Sequence, residues 1–141
     1  MIVYAETSAV LRWLFNEDAG EQILEDLQTS EKVLCSRLTL IEVRRVIHRA
    51  ETESRISAAE AADLFTVFGQ AVARWAVLEV AAEVAQRAEG VFPVEPVRTL
   101  DAIHLASALF LRESFPDLLV LSTDERVRRN ALPLGFDILP R

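Results

Sequence analysis

Leu118-Leu119-Val120-Leu121 is the clearest strand of the chain: four consecutive apolar residues, followed by the polar run Ser122-Thr123-Asp124. A strand that is apolar at every position, and not at alternate ones, fits a sheet buried on both faces, as parallel sheets covered by helices are. The stretch before it predicts a buried helix opening near Asp101, with Leu100, Ile103, Leu105, Ala106, Leu109 and Phe110 at helical spacing. No glycine or proline falls between Pro96 and Pro116, and Thr99 is the expected N-cap. After the strand, Asp124 is followed by a short helix over 125–131, then Gly135 and a last short strand, Asp137-Ile138-Leu139.

The rest of the chain repeats this alternation. Ile2-Val3-Tyr4-Ala5 is a strand rich in β-formers, ending at Glu6, with Thr7 or Ser8 as cap of a helix to Phe15. A second helix covers about 21–28, and Val33-Leu34-Cys35 is a short buried strand. The pattern from Leu40 to Thr52 is helical, and Ser57-Ala58-Ala59-Glu60 is a capping box opening a helix to about Arg74. Trp75 to Val80 is a β-like run, and the alanine-rich helix 81–89 stops at Gly90. Strands alternating with helices predict an α/β fold, a parallel sheet with helices on both faces, in one domain over 1–141.

Composition narrows the function classes. The 51% hydrophobic content over 141 residues excludes disorder. No stretch approaches the ~20 uninterrupted apolar residues of a membrane span, and the N-terminus has no basic leader, so a cytoplasmic protein with no membrane partner is expected. The single cysteine, Cys35, sits in an apolar run as a small buried side chain. Net charge is −7, which argues against a global field for nucleic acid. Fourteen of the fifteen basic residues are nonetheless arginine, whose planar fork suits phosphate. Arg44, Arg45, Arg126 and Arg128 are candidates for local phosphate contacts.

Of four acids, three lie where an open α/β sheet binds ligands, outside the carboxyl ends of its strands, and the fourth, Asp101, can face the same edge by helix polarity. Glu6 directly follows the first strand, and Asp124 comes three residues after Leu121. Glu42 is expected in the first turn of the helix after Cys35, and Asp101 opens its own helix. Four carboxylates in a small pocket require a compensating charge. A hard divalent cation supplies it, and can activate water against a phosphodiester. Each acid also has a bland reading. Thr39-Leu40-Ile41-Glu42 reads as a capping box, Asp124 as an N-cap, Asp101 as a first-turn acid, and Glu6 as a solvated strand end.

His104, one turn after Asp101 in so apolar a helix, reads as a hydrogen-bonded core residue. Ser8 and Thr7 lack a nearby histidine base in the sequence, and no GxxxxGK[ST] or GxGxxG loop occurs among only four glycines. A phosphoacceptor signalling domain would need a lysine after a late strand, and the sole lysine is Lys32.

The chain resembles the PIN-domain ribonucleases, specifically the VapC-type toxins of toxin–antitoxin pairs. The resemblance rests on Val3-Tyr4-Ala5-Glu6-Thr7-Ser8-Ala9, Ser36 to Glu42-Val43, Arg98 to Ala106, and Leu121-Ser122-Thr123-Asp124-Glu125-Arg126. It implies a PIN-like three-layer fold with strand order 3-2-1-4-5. It further implies a metal-dependent endoribonuclease in which Glu6, Glu42, Asp101 and Asp124 converge on Mg²⁺ or Mn²⁺, with Ser8 as a supporting hydroxyl. Implied partners are an RNA substrate (tRNA or rRNA), a small antitoxin, and a second copy in a homodimer. The first acid of that pattern is usually aspartate and here is Glu6, which leaves a non-catalytic protein-binding module with a degraded site as the alternative.

Overall fold

The computed structural model describes all residues, 1–141. Five strands, β1 (Ile2–Ala5), β2 (Lys32–Ser36), β3 (Ala76–Leu78), β4 (Leu119–Leu121) and β5 (Ile138–Leu139), form one sheet in the order β3-β2-β1-β4-β5. Every pairing is parallel, with Tyr4 opposite Leu34 on one side and Val120 on the other. Seven helices cover it: α1 (Thr7–Leu14), α2 (Gly20–Thr29), α3 (Arg37–Thr52), α4 (Ala58–Val72), α5 (Ala82–Ala88), α6 (Thr99–Arg112) and α7 (Glu125–Ala131).

Side chains alternate across a strand, so each strand divides its residues between two layers. Val3, Ala5, Val33 and Cys35 point into a core with Val10, Ile23, Val43, Ile47 and Phe68 from α1 to α4. Tyr4, Leu34 and Val120 point the other way, into a core with Leu105, Ala108 and Val127 from α6 and α7. Both faces of the central strands are therefore dry, as their continuous apolar sequence predicts. Cys35 is fully buried, and burial pushes its thiol up to about 12.

Helix starts differ from the sequence expectation in three places, and each difference frees a hydroxyl. The Ser57–Glu60 capping box forms as expected. The cap of α3, however, is Ser36, whose hydroxyl accepts from the Leu38 amide at 3.1 Å, and Thr39 donates to the Ala5 carbonyl instead. Glu42 consequently lies in the second turn of α3 and caps nothing. The N-cap of α6 is Arg98, so Thr99 is already helical, and that of α1 is Glu6, not Thr7 or Ser8. The last residue of β2 and the first residue after β1 are themselves the N-caps of α3 and α1, so these two helices start one or two residues beyond their strands.

Gly20 is fixed by the packing of α2 on α1: a Cβ there would sit 2.6 Å from the Arg12 carbonyl oxygen. That oxygen is backbone and cannot swing aside, so Gly20→Ala is expected to cost about 1–3 kcal/mol. The measurement is a lower urea midpoint with an unchanged m value.

Candidate active site

All five strands run the same way, so β1, β2 and β4 deliver their carboxyl ends to one edge. There the Glu6 amide donates to the Leu121 carbonyl at 3.0 Å, joining the ends of β1 and β4. The four acids gather beside this junction from four elements: Glu6 before α1, Glu42 on α3, Asp101 in the first turn of α6, and Asp124 as the cap of α7.

Glu6 is 4% exposed and its Oε2 accepts from the Ser122 hydroxyl at 2.7 Å and from the Ser8 hydroxyl. The Ser8 oxygen in turn accepts from the amides of Thr123 (2.9 Å) and Asp124 (3.1 Å), and the Ser122 oxygen from the Asp124 amide (3.1 Å). Two hydroxyls thus tie the first acid to the loop that carries the last one. Asp124 caps α7 through Oδ1, which accepts from the Arg126 amide at 2.8 Å. The bland and the functional readings of Asp124 are both open to it, since Oδ2 takes no part in the cap.

Glu42 Oε1 accepts from Thr7 at 2.6 Å and from His104 Nε2 at 2.7 Å. Burial pushes the Glu42 carboxyl up, but hydrogen bonds from His104 and Thr7 outweigh it and hold the group below its ordinary range. Asp101 has the opposite balance. Burial, then the charges of Asp124 and Glu6, hold its carboxyl above the ordinary range, against weaker opposition from His104 and Arg126. Its Oδ2 is buried with no hydrogen-bond partner.

The charges of Glu6 and Asp124 act on Asp101, so these three acids share one field, and Glu6 Oε1 lies 3.8 Å from the His104 nitrogen that binds Glu42. No three of these side chains close into a ready-made metal cage. That is compatible with magnesium, which keeps several waters and is usually held by one or two carboxylates. An all-oxygen donor set with an unpartnered buried oxygen fits a hard cation.

The arginines divide. Arg126 is exposed and close enough for its charge to bear on Asp101. Arg128 spends one guanidinium nitrogen on the carbonyls of Ser122 (2.8 Å) and Leu139 (3.3 Å), tying β4 to β5. Arg44 lies 5.4 Å over the Phe68 ring, and Arg45 lines a surface cleft with His48, Arg49, Thr52 and Glu53. Neither is joined to the acids by a hydrogen bond or ion pair.

Sequence reading missed the contributions of Tyr4, Thr7 and Ser122. A signal for two of them is present: both central strands are followed by an acid flanked by hydroxyls, Glu6-Thr7-Ser8 and Ser122-Thr123-Asp124.

Comparison with known proteins agrees with this architecture. Residues 3–132 match the model of the PIN domain. The chain is 29% identical over 139 residues to ribonuclease VapC45 of Mycobacterium tuberculosis, covering 99% of this chain and 95% of that protein. It is 30% identical over 137 residues to ribonuclease VapC46 of the same species, covering 97% and 95%. Among solved structures, a toxin-antitoxin complex from Klebsiella pneumoniae matches with a TM-score of 0.68 at 16% identity, over 99% of this chain and 98% of that one. VapC20 of Mycobacterium tuberculosis, described as a sarcin-ricin loop cleaving toxin, matches at 0.66 with 14% identity over 95% of each chain. Similarity at that level carries the fold alone, whereas the family match spans nearly the whole chain. The chain belongs to the PIN-domain family, among its VapC-type ribonucleases.

Proposed function

We propose that this protein is a metal-dependent endoribonuclease, the toxin of a toxin–antitoxin pair, with Glu6, Asp101, Asp124 and Glu42 as the acids that hold Mg²⁺ or Mn²⁺. The observation that carries the reading is the buried, unpartnered Oδ2 of Asp101 beside Glu6 and Asp124. An unsatisfied buried oxygen costs about 1–3 kcal/mol, and more when charged, so a fold that keeps one has a use for it. The names of the relatives, ribonuclease VapC45 and VapC46, support ribonuclease chemistry over other uses of an acidic pocket.

A bound cation there would lower the pKa of a water and neutralise charge on the phosphodiester. The chain's own residues do the rest. Ser8 and Ser122 hold Glu6 Oε2 and leave Oε1 turned toward His104 and Glu42. Asp101 and Asp124 sit at the starts of α6 and α7, where free amides favour negative charge. Arg126, exposed beside Asp101, is the arginine best placed to meet an RNA phosphate. Arg44, Arg45 and Arg128 serve RNA less directly, since Arg128 is occupied by backbone carbonyls. With a net charge of −7, RNA is engaged by this local cationic rim. A structured RNA, tRNA or rRNA, is the substrate class, and a homodimer is the working unit. The partner is a small antitoxin, supported by toxin-antitoxin complexes among the proteins that share the fold.

The test is cleavage of total bacterial RNA by antitoxin-free protein in Mg²⁺ or Mn²⁺, with EDTA alongside. Cuts at few positions, abolished by EDTA, are expected. Saturating Mn²⁺ at about 100 times its Kd should also add about 2.7 kcal/mol of stability. Intact RNA together with an unmoved melting temperature in Mn²⁺ would reject the reading in favour of a non-catalytic binding module.

A further inference from the structure

His104 is 2% exposed, yet both of its ring nitrogens are engaged. Nδ1 lies 2.7 Å from the Tyr4 hydroxyl. Nε2 lies 2.7 Å from Glu42 Oε1, 3.1 Å from the Thr7 hydroxyl and 3.8 Å from Glu6 Oε1. An ionised carboxylate only accepts, so the hydrogen on this edge of the ring is at Nε2. Thr7 donates its own hydrogen to the same Glu42 oxygen at 2.6 Å. With Nε2 as the donor, Nδ1 is left to accept from the Tyr4 phenol.

These four residues come from β1, α1, α3 and α6, so the network crosses from the sheet to both helical layers. Tyr4 is itself fully buried against α6, its ring edge-on to the imidazole at 6.0 Å. A glutamate stem has three rotatable bonds, whereas the imidazole is rigid and pinned at its far nitrogen. The position of Glu42 relative to Glu6 is thus set by a fixed donor between them.

We propose that His104 is a positioning residue for the acidic site: anchored by Tyr4 at Nδ1, it presents Nε2–H to Glu42 and faces Glu6, fixing the separation of these two carboxylates. The inference rests on the metal reading of the acids given above. Partners that orient a metal's ligands typically contribute 10- to 100-fold in affinity or activity, and a histidine N–H aimed at a ligating carboxylate is such a partner.

Two measurements on the whole protein test it. Long-range ¹H–¹⁵N correlation on the wild type should find the hydrogen at Nε2 and a bare Nδ1; a hydrogen at Nδ1 alone would overturn the proposal. Titration calorimetry with Mn²⁺ is then run on wild type, His104→Gln and His104→Asn, with melting temperatures in EDTA. Glutamine carries an N–H to the place of Nε2, while asparagine ends near the level of Nδ1. His104→Gln is expected to stay within about threefold of wild-type affinity and His104→Asn to lose about 10- to 100-fold, although both melt lower. A purely structural histidine would lower both melting temperatures without separating the affinities, and equal affinities would overturn the inference. If His104→Asn does not fold, the wild-type tautomer and His104→Gln still decide it: a tenfold or greater loss in the glutamine variant counts against it. A wild type that binds no Mn²⁺ would overturn the metal reading and this inference together, whereas binding with unseparated variants removes only this one.

Discussion

Asp101→Asn is expected to lower RNA cleavage by about 10²–10³-fold, the loss that follows removal of one electrostatic group at a reacting centre. The same substitution is expected to make the metal-free protein more stable. Asp101 is held above the ordinary carboxylate range by burial and by Asp124 and Glu6. The folded state therefore keeps a proton that the unfolded chain releases. Stability falls as pH rises between the unfolded and folded pKa values, and the full penalty is present above the folded one. Asparagine keeps the shape and removes that penalty, so in EDTA the variant should melt higher at neutral pH and lose this decline. Glu42 acts with the opposite sign. Its carboxyl is held low despite burial, so its contribution is complete above the unfolded pKa and lost as pH falls through the folded one. The Asp101→Asn protein should keep that acid-side loss. Melting curves from pH 3 to 8, run with cleavage assays, check both halves. An inactive variant that is also less stable would mean that Asp101 is a structural carboxylate.

Much of this was legible in the sequence because it depends on local pattern. The apolar run at Leu118–Leu121 and the strand at Ile2–Ala5 dictate buried central strands, and the alternation with helices dictates parallel pairing. The strand order 3-2-1-4-5 came from resemblance, since nothing local specifies which strands neighbour which. The cap expected for α3, Thr39, differs from the one the structure uses because Ser36 and Thr39 are both good caps. The choice between them depends on a long-range acceptor, the Ala5 carbonyl that takes Thr39. Placing the cap at Thr39 also made Glu42 look self-explained. Once α3 starts at Arg37, Glu42 faces Thr7 and His104, 35 and 62 residues away in sequence. Reading His104 as a hydrogen-bonded core residue was correct, but its partners are not ordinary core groups. Spacing within α6 sets His104 one turn from Asp101, and it is tertiary packing that aims the ring at Glu42 instead.

Glu6→Asp is expected to slow cleavage by about tenfold, although aspartate is the usual first acid of the pattern this chain resembles. Two hydroxyls are arranged around a carboxylate at glutamate's reach: Ser122 from the end of β4 and Ser8 from α1 both donate to Oε2. Their oxygens are in turn held by the amides of Thr123 and Asp124, so they cannot follow a retreating carboxylate without disturbing the Asp124 loop. Removing one methylene withdraws the charge by more than an ångström, and a misplacement of ~1 Å can cost on the order of a hundredfold. Aspartate retains the charge, which recovers part of that loss. Glu6→Gln keeps the length and the Ser122 contact but removes the charge, so it should fall by about a hundredfold or more. Cleavage rates and Mn²⁺ affinities for the two variants separate reach from charge. Ser122→Ala made in both the wild-type and the Glu6→Asp proteins closes the cycle. If the hydroxyl serves glutamate, Ser122→Ala should slow the wild type several-fold and have little further effect on Glu6→Asp. A Glu6→Asp protein that cuts faster than the wild type would mean that glutamate is a compromised ligand here, and that the serines stabilise the loop without tuning the site.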